Sequence, residues 1–172
     1  NRAYAYYALK EYERSAEDYQ KSSNLNPNAW NSRANIGAVL SELKQYETAI
    51  IHLNKALELK PGDELSHYNR AIALQNTGKY AEALKDIDEA VKQNAENPDY
   101  LLTRGAILLN MGQFDAALNE LNRSILKNPK NHLSYGNRGL CNVLLNKTAD
   151  AYKDYSQANL LNPKFPDAWS KR

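Results

Sequence analysis

Cysteine is nearly missing from this chain: Cys141 stands alone, so no intrachain disulfide can form, and no Cys/His spacing of the zinc-binding kind occurs. No apolar run reaches the roughly 18 residues that a membrane span requires, and no charged segment leading into an apolar stretch opens the chain. Membrane insertion is therefore not expected. A surplus of one charge is missing too: 22 Lys+Arg stand against 20 Asp+Glu, a net charge of +2. A phosphate-binding surface normally carries a clear basic excess, which makes nucleic acid an unfavourable partner. With 42% hydrophobic and 24% charged residues over 172 positions, the composition is that of a folded chain. The compartment stays open, with a soluble cytoplasmic location favoured because the lone thiol is compatible with a reducing environment.

What the sequence does contain is a period of 34 residues. Ala3, Gly37, Ala71, Gly105 and Gly139 follow one another at that interval, as do Tyr12, Tyr46, Tyr80 and Phe114, and Ala49, Ala83, Ala117 and Ala151. Numbering slots from Trp30, Glu64, Pro98 and His132 as slot 1 puts the small residue in slot 8, the aromatic in slot 17 and Pro27, Pro61, Pro129 and Pro163 in slot 32. The frame gives a partial repeat over 1–29, complete repeats over 30–63, 64–97, 98–131 and 132–165, and the start of another over 166–172. Neither end shows a polar cap, so a slice of a longer array is expected. All six prolines fall in slots 32 and 1, where they stop a helix or begin one. Each unit thus reads as two helices, over slots 1–14 and 15–31, which predicts second helices starting near Gln45, Lys79, Gln113 and Lys147. A small side chain in slot 8 allows the two helices to approach closely.

The runs Gly37 to Pro61 and Gly105 to Pro129, with Trp169 in the tryptophan slot of the last repeat, resemble the tetratricopeptide repeat family over the whole chain. That resemblance implies an all-α, right-handed superhelical solenoid of antiparallel helix pairs, with the first helices lining a concave groove. Three positions depart from the family pattern. Ala95 replaces a proline, and Asn146 and Thr148 stand where a glycine and an aromatic are usual, which predicts two weakened turns.

At about 100° per residue, slots 4, 7, 8 and 11 share the packing side of the first helix, and slots 2, 5, 6, 9, 12 and 13 the other. Slot 7 holds Arg2, Arg70, Arg104, Arg138 and Arg172, with Ile36 as the exception, while slot 23 holds Asp18, Asp86, Glu120 and Asp154, with His52 in the repeat that has Ile36. The two slots change together. Structural ion pairs Arg70–Asp86, Arg104–Glu120 and Arg138–Asp154 are therefore expected, shielded from water, rather than a phosphate site.

Slot 6 carries Asn1, Asn35, Asn69 and Asn137, interrupted by Thr103 and ending in Lys171. A side-chain amide offers both an acceptor and donors, so it can grip a peptide unit whatever side chain that unit bears. The series is similar to the asparagine ladder of the tetratricopeptide domains in O-linked N-acetylglucosamine transferases. Tyr68, Ile72, Leu102, Leu109 and Leu140 are expected to make apolar gaps beside these amides, and about half of the apolar groove positions are expected to be core. The expected function is a scaffold that binds an extended peptide or partner segment. The alternatives are a substrate-presenting module of a larger enzyme and a self-association module.

Other chemistries find little support. The cations of the carboxylate-clamp subfamily are missing: around Asn69 the corresponding positions are Ala34, Ala38, Asp99 and Thr103. His52, His67 and His132 occupy slots 23, 4 and 1, so no nucleophile, base and orienting group come together, and neither enzyme activity, a metal nor a cofactor is expected. Glu42, Asp99, Asp167 and Lys171 are the only charges of the groove slots, too few cations for RNA.

Overall fold

A computed structural model of the chain describes residues 2–163, and these form ten α-helices and no strand. Asn1, Pro166, Asp167, Trp169, Lys171, Arg172 and the repeat expected from residue 166 lie outside the described residues. The first helices are α1 (Arg2–Ala8), α3 (Trp30–Glu42), α5 (Glu64–Asn76), α7 (Pro98–Asn110) and α9 (His132–Leu144). The second helices are α2 (Tyr12–Leu25), α4 (Tyr46–Leu59), α6 (Tyr80–Gln93), α8 (Phe114–Lys127) and α10 (Thr148–Leu161). Two compact units result, Asn1–Gln93 and Asn94–Arg172. In the first, α3 packs on α4, α5 and α2, and in the second α9 packs on α10, α8 and α7.

Starts of the first helices fall on slot 1, where Asp63, Asn97 and Asn131 cap them by accepting from the backbone N–H groups of Ser66, Asp99 and Leu133. The second helices occupy slots 17 to 30, shorter at the front than the expected 15 to 31. Slot 15 is the reason. Lys10, Lys44, Gly78, Gly112 and Asn146 all adopt the left-handed conformation, with φ of 62°, 59°, 77°, 75° and 59°. The next residue's N–H then reaches back to slot 11, as in Gln45 to Leu40 O (2.8 Å) and Gln113 to Leu108 O (2.9 Å). This is the Schellman ending of an α-helix, closed five times over with glycine in only two of the five places.

The turns with unusual residues are not weakened. Asn146 takes the same φ as Lys44, since asparagine tolerates the left-handed region better than most residues, and Lys147 N–H reaches Asn142 O at 2.8 Å. Where Ala95 replaces proline, the turn is tied to α8 instead: Arg123 Nη2 donates to Ala95 O at 2.9 Å, and Glu96 pairs with both Arg123 and Lys127. The hydrogen bond from Lys127 holds the Glu96 carboxyl below its usual pKa.

Spacing within the second helices sets which side is buried. Ala49, Leu53, Ala56 and Leu57 recur at i, i+4, i+7 and i+8 along α4 and are all buried. Opposite Leu53 sits slot 8: a Cβ on Gly37 would overlap Leu53 Cγ, and one on Gly105 would lie 2.8 Å from Leu121 Cγ. At Gly139 the same atom would stand 3.3 Å from the ring of Tyr155. The small residue of the repeat is thus the space into which the second helix's large one fits.

Candidate functional site

Arginines on the packing side of the first helices are spent within the fold. Arg70 Nε and Nη2 donate to the two carboxylate oxygens of Asp86 at 2.6 and 2.7 Å, and Asp86 is 5% exposed. Arg138 makes the same two-pronged contact with Asp154, from Nε at 3.0 Å and Nη2 at 2.5 Å. Arg2 and Asp18 do so as well, at 2.6 and 2.8 Å, and that bond keeps the Asp18 carboxyl below its usual range. Arg104 and Glu120 meet differently, at 3.6 Å, because Glu120 also takes Arg123 Nη1 at 3.1 Å. A glutamate is one methylene longer than the aspartates and is drawn along its own helix.

The preceding second helix adds a partner that the sequence pattern did not single out. Arg70 Nη1 donates to Asn54 Oδ1 at 2.8 Å, and Arg138 Nη1 to Asn122 Oδ1 at 2.7 Å. Slot 25 carries asparagine only in front of these two arginines, which was the available signal. Both ensembles sit under clefts of about 310 and 320 Å³ that repeat each other 68 residues apart: Ile50, Asn54, Arg70, Lys79 and Lys85 line one, and Leu118, Asn122, Arg138, Lys147 and Lys153 the other. With most guanidinium donors taken by Asp and Asn, these clefts are seams between helices rather than anion sites. His67, whose ring lies 2.9 Å from Asp86 Oδ1 and 2.8 Å from Pro61 O, belongs to the same seam.

The other arc of the first helices is different in character. Asn35 is exposed, and Asn69 and Asn137 are half-buried. None of these three side-chain amides hydrogen-bonds another described residue, in contrast with Asn54, Asn122 and Asn142, all spent on the ion pairs. In the first unit α3 and α5 touch, so Asn35 and Asn69 lie one repeat apart on neighbouring helices. Tyr68 and Ile72 are half-buried on α5, and in the second unit Leu102 is half-buried and Leu140 is 41% exposed.

Leu109 is not part of this surface. It is 8% exposed, as is Thr103. With α8 on one flank of α7 and α9 on the other, residues at the margin of its arc are drawn into packing. Leu109 is therefore core.

A cleft of about 280 Å³ opens on this arc in the first unit, lined by Tyr7, Ala38, Ser41, Glu42, Lys44, Tyr46, Asn69 and Ile72. Tyr7 donates to Glu42 Oε1 at 3.5 Å, and burial followed by the Glu42 charge raises the Tyr7 pKa, so its hydroxyl stays a donor. Burial, followed by the Glu42 charge, also raises that of Tyr12. Among the described residues no group of His, Cys, Asp and Glu is arranged to hold a metal, and no helix is long and apolar enough to cross a membrane.

Capped helix pairs with a shared 34-residue frame, a left-handed link and unspent amides on one arc define a helical-repeat protein. The tetratricopeptide repeat family matches residues 1–64 and 102–168, and the chain belongs to that family. The family described as anaphase-promoting complex, cyclosome, subunit 3, matches residues 42–124. No curated protein gives a significant match. Among solved structures, MamA from Desulfovibrio magneticus RS-1 superposes with a TM-score of 0.83 at 16% identity, over 96% of this chain and 94% of that one. YrrB, described as a TPR protein with an unusual peptide-binding site, gives 0.75 at 22% identity, over 94% and 84%. The APC/C hetero-tetramer Cut9–Hcn1 gives 0.82 at 17% identity, over 92% of this chain and 32% of that one. At such identities the likeness is one of fold.

Proposed function

We propose that this chain is a protein-interaction module that holds an extended peptide, or a partner's loop or tail, on the arc of its first helices. Asn35 and Asn69 in the first unit and Asn137 in the second grip the peptide backbone, in the manner of the asparagine ladder of O-linked N-acetylglucosamine transferases. The observation that carries this reading is that the three amides are accessible and make no hydrogen bond within the described chain. An asparagine is a mediocre helix former, and its recurrence in one slot without a local bond calls for an external partner. Membership of a family of interaction scaffolds, and likeness in fold to YrrB, support the same class of ligand. Ile72, Tyr68, Leu102 and Leu140 supply apolar gaps for side chains, and Leu109 does not.

Amide-to-backbone bonds give grip without choice of sequence, and ordering a flexible chain offsets much of the contact energy, so affinity is about micromolar for a short peptide. The test selects a peptide on an array with the intact chain and titrates it against the Asn35→Ala, Asn69→Ala double variant, with circular dichroism as the check on folding. A loss of about tenfold is expected from two backbone hydrogen bonds. Undiminished binding by the folded variant removes the asparagines from the site.

A further inference from the structure

We propose that the cleft beside Asn69 is a specificity pocket for one basic side chain, lysine or arginine, of the bound peptide; this rests on the reading that a peptide lies along α3 and α5. The cleft holds a single carboxylate, Glu42, which is exposed and takes a hydrogen bond from the hydroxyl of Tyr7. That phenol occupies one of the roughly four acceptor positions of a carboxylate and does not neutralise its charge. No described cation pairs with Glu42; Lys44 lines the same cleft, but it stands exposed at the rim and does not reach the carboxylate. The four acids of slot 23, Asp18, Asp86, Glu120 and Asp154, are each answered by an arginine, whereas Glu42 is answered by no described cation and its charge is available to a ligand.

The walls suit the same guest. Tyr7 and Tyr46 are aromatic and half-buried, and an aromatic ring attracts a cation through its negative face. Ile72 offers an apolar surface for the methylene stem that a lysine or arginine carries, and such stems bury readily while the head seeks its counter-charge. Asn69 lines the same cleft, which places a backbone grip beside the pocket. At about 280 Å³ the cleft falls below the roughly 300–1,000 Å³ of small-molecule sites, a size for one side chain rather than a cofactor.

Four synthetic decapeptides of alternating serine and alanine, with arginine, lysine, glutamine or glutamate at one central position, make the probe. Titrated against the intact chain at low salt, the arginine and lysine peptides should bind about tenfold tighter than the glutamine peptide, and Glu42→Gln should abolish that preference. Added salt should shrink it. Equal binding of all four, tightest binding of the glutamate peptide, or a basic preference that survives Glu42→Gln overturns the pocket. The Asn35→Ala variant, at a residue outside the cleft lining, separates this from the backbone reading: it should weaken all four peptides alike and leave the ratio between them unchanged. A second measurement needs no backbone grip. Titration with N-acetyl-arginine methylamide should shift the ring resonances of Tyr7 and Tyr46 in the native chain and not in Glu42→Gln, whereas the absence of any shift in the native chain overturns the pocket even where peptides bind elsewhere.

Discussion

Asp86 and Glu120 occupy the same slot, yet the consequences of losing them differ. Asp86 is 5% exposed and accepts from Arg70 at 2.6 and 2.7 Å, with His67 at 2.9 Å, so Asp86→Ala leaves three buried or half-buried polar groups to find new partners. The expected cost is about 3 kcal/mol, the lower end for a broken buried pair because Arg70 retains some access to water. Glu120 stands 3.6 Å from Arg104 and shares itself with Arg123, a half-buried neighbour on its own helix, so Glu120→Ala should cost about 1 kcal/mol. Urea midpoints of the two variants check the ratio; equal losses would mean that the two-pronged geometry adds nothing. That slots 7 and 23 vary together was visible in the residues alone. Their geometry was not, because one methylene decides between two short bonds and a loose contact.

At the level of the element, the link between the two helices of a repeat is a conformational demand at a single position. Gly78 and Gly112 meet it without strain, whereas Lys10, Lys44 and Asn146 adopt positive φ against the repulsion between Cβ and the neighbouring carbonyl. Lys44→Gly should therefore stabilise the chain by about 1 kcal/mol, and Gly112→Ala, where nothing crowds a Cβ and only φ opposes it, should destabilise by about 1–2 kcal/mol. Thermal unfolding of both single variants checks the pair of opposite signs. A Lys44→Gly variant no more stable than the parent would show that the turn imposes no strain there. Helix starts at slot 1 were legible because the prolines of slots 32 and 1 mark them, whereas the caps Asp63 and Asn131 became visible only in the structure. The starts of the second helices were less so, since lysine in slot 15 carries no sign of a left-handed turn.

Across the whole chain, the 34-residue frame carries a second rhythm of 68 residues: Arg2 with Asp18, Arg70 with Asp86 and Arg138 with Asp154 are two-pronged, and Ile36 with His52 and Arg104 with Glu120 depart from that form. The lone thiol gives a readout of how firmly the second unit is closed. Cys141 is fully buried on α9, and burial pushes its pKa up to about 11 from an ordinary 9.0. Its neutral form is favoured by folding, so that contribution to stability is whole below pH 9.0 and is lost as the pH rises toward 11. A thiol reagent at neutral pH should label Cys141 only as fast as the structure opens, with labelling accelerated by urea; immediate labelling of the native chain would contradict its burial.

The sequence by itself determined the period, the small slot 8 that lets two helices approach, and the covariation of arginine with acid, because these are repeated local demands of helix geometry. Only the tertiary structure decided which residues of the outward arc meet solvent. Leu109 is 8% exposed and Leu140 41%, though both were expected in the groove. It also brought Tyr7 of one repeat to Glu42 of the next and set Asn69 beside them in a single cleft. Helical spacing fixes the direction in which a side chain leaves its own axis, whereas burial depends on what the neighbouring helices place in front of it, and that is a property of the packing rather than of any one segment.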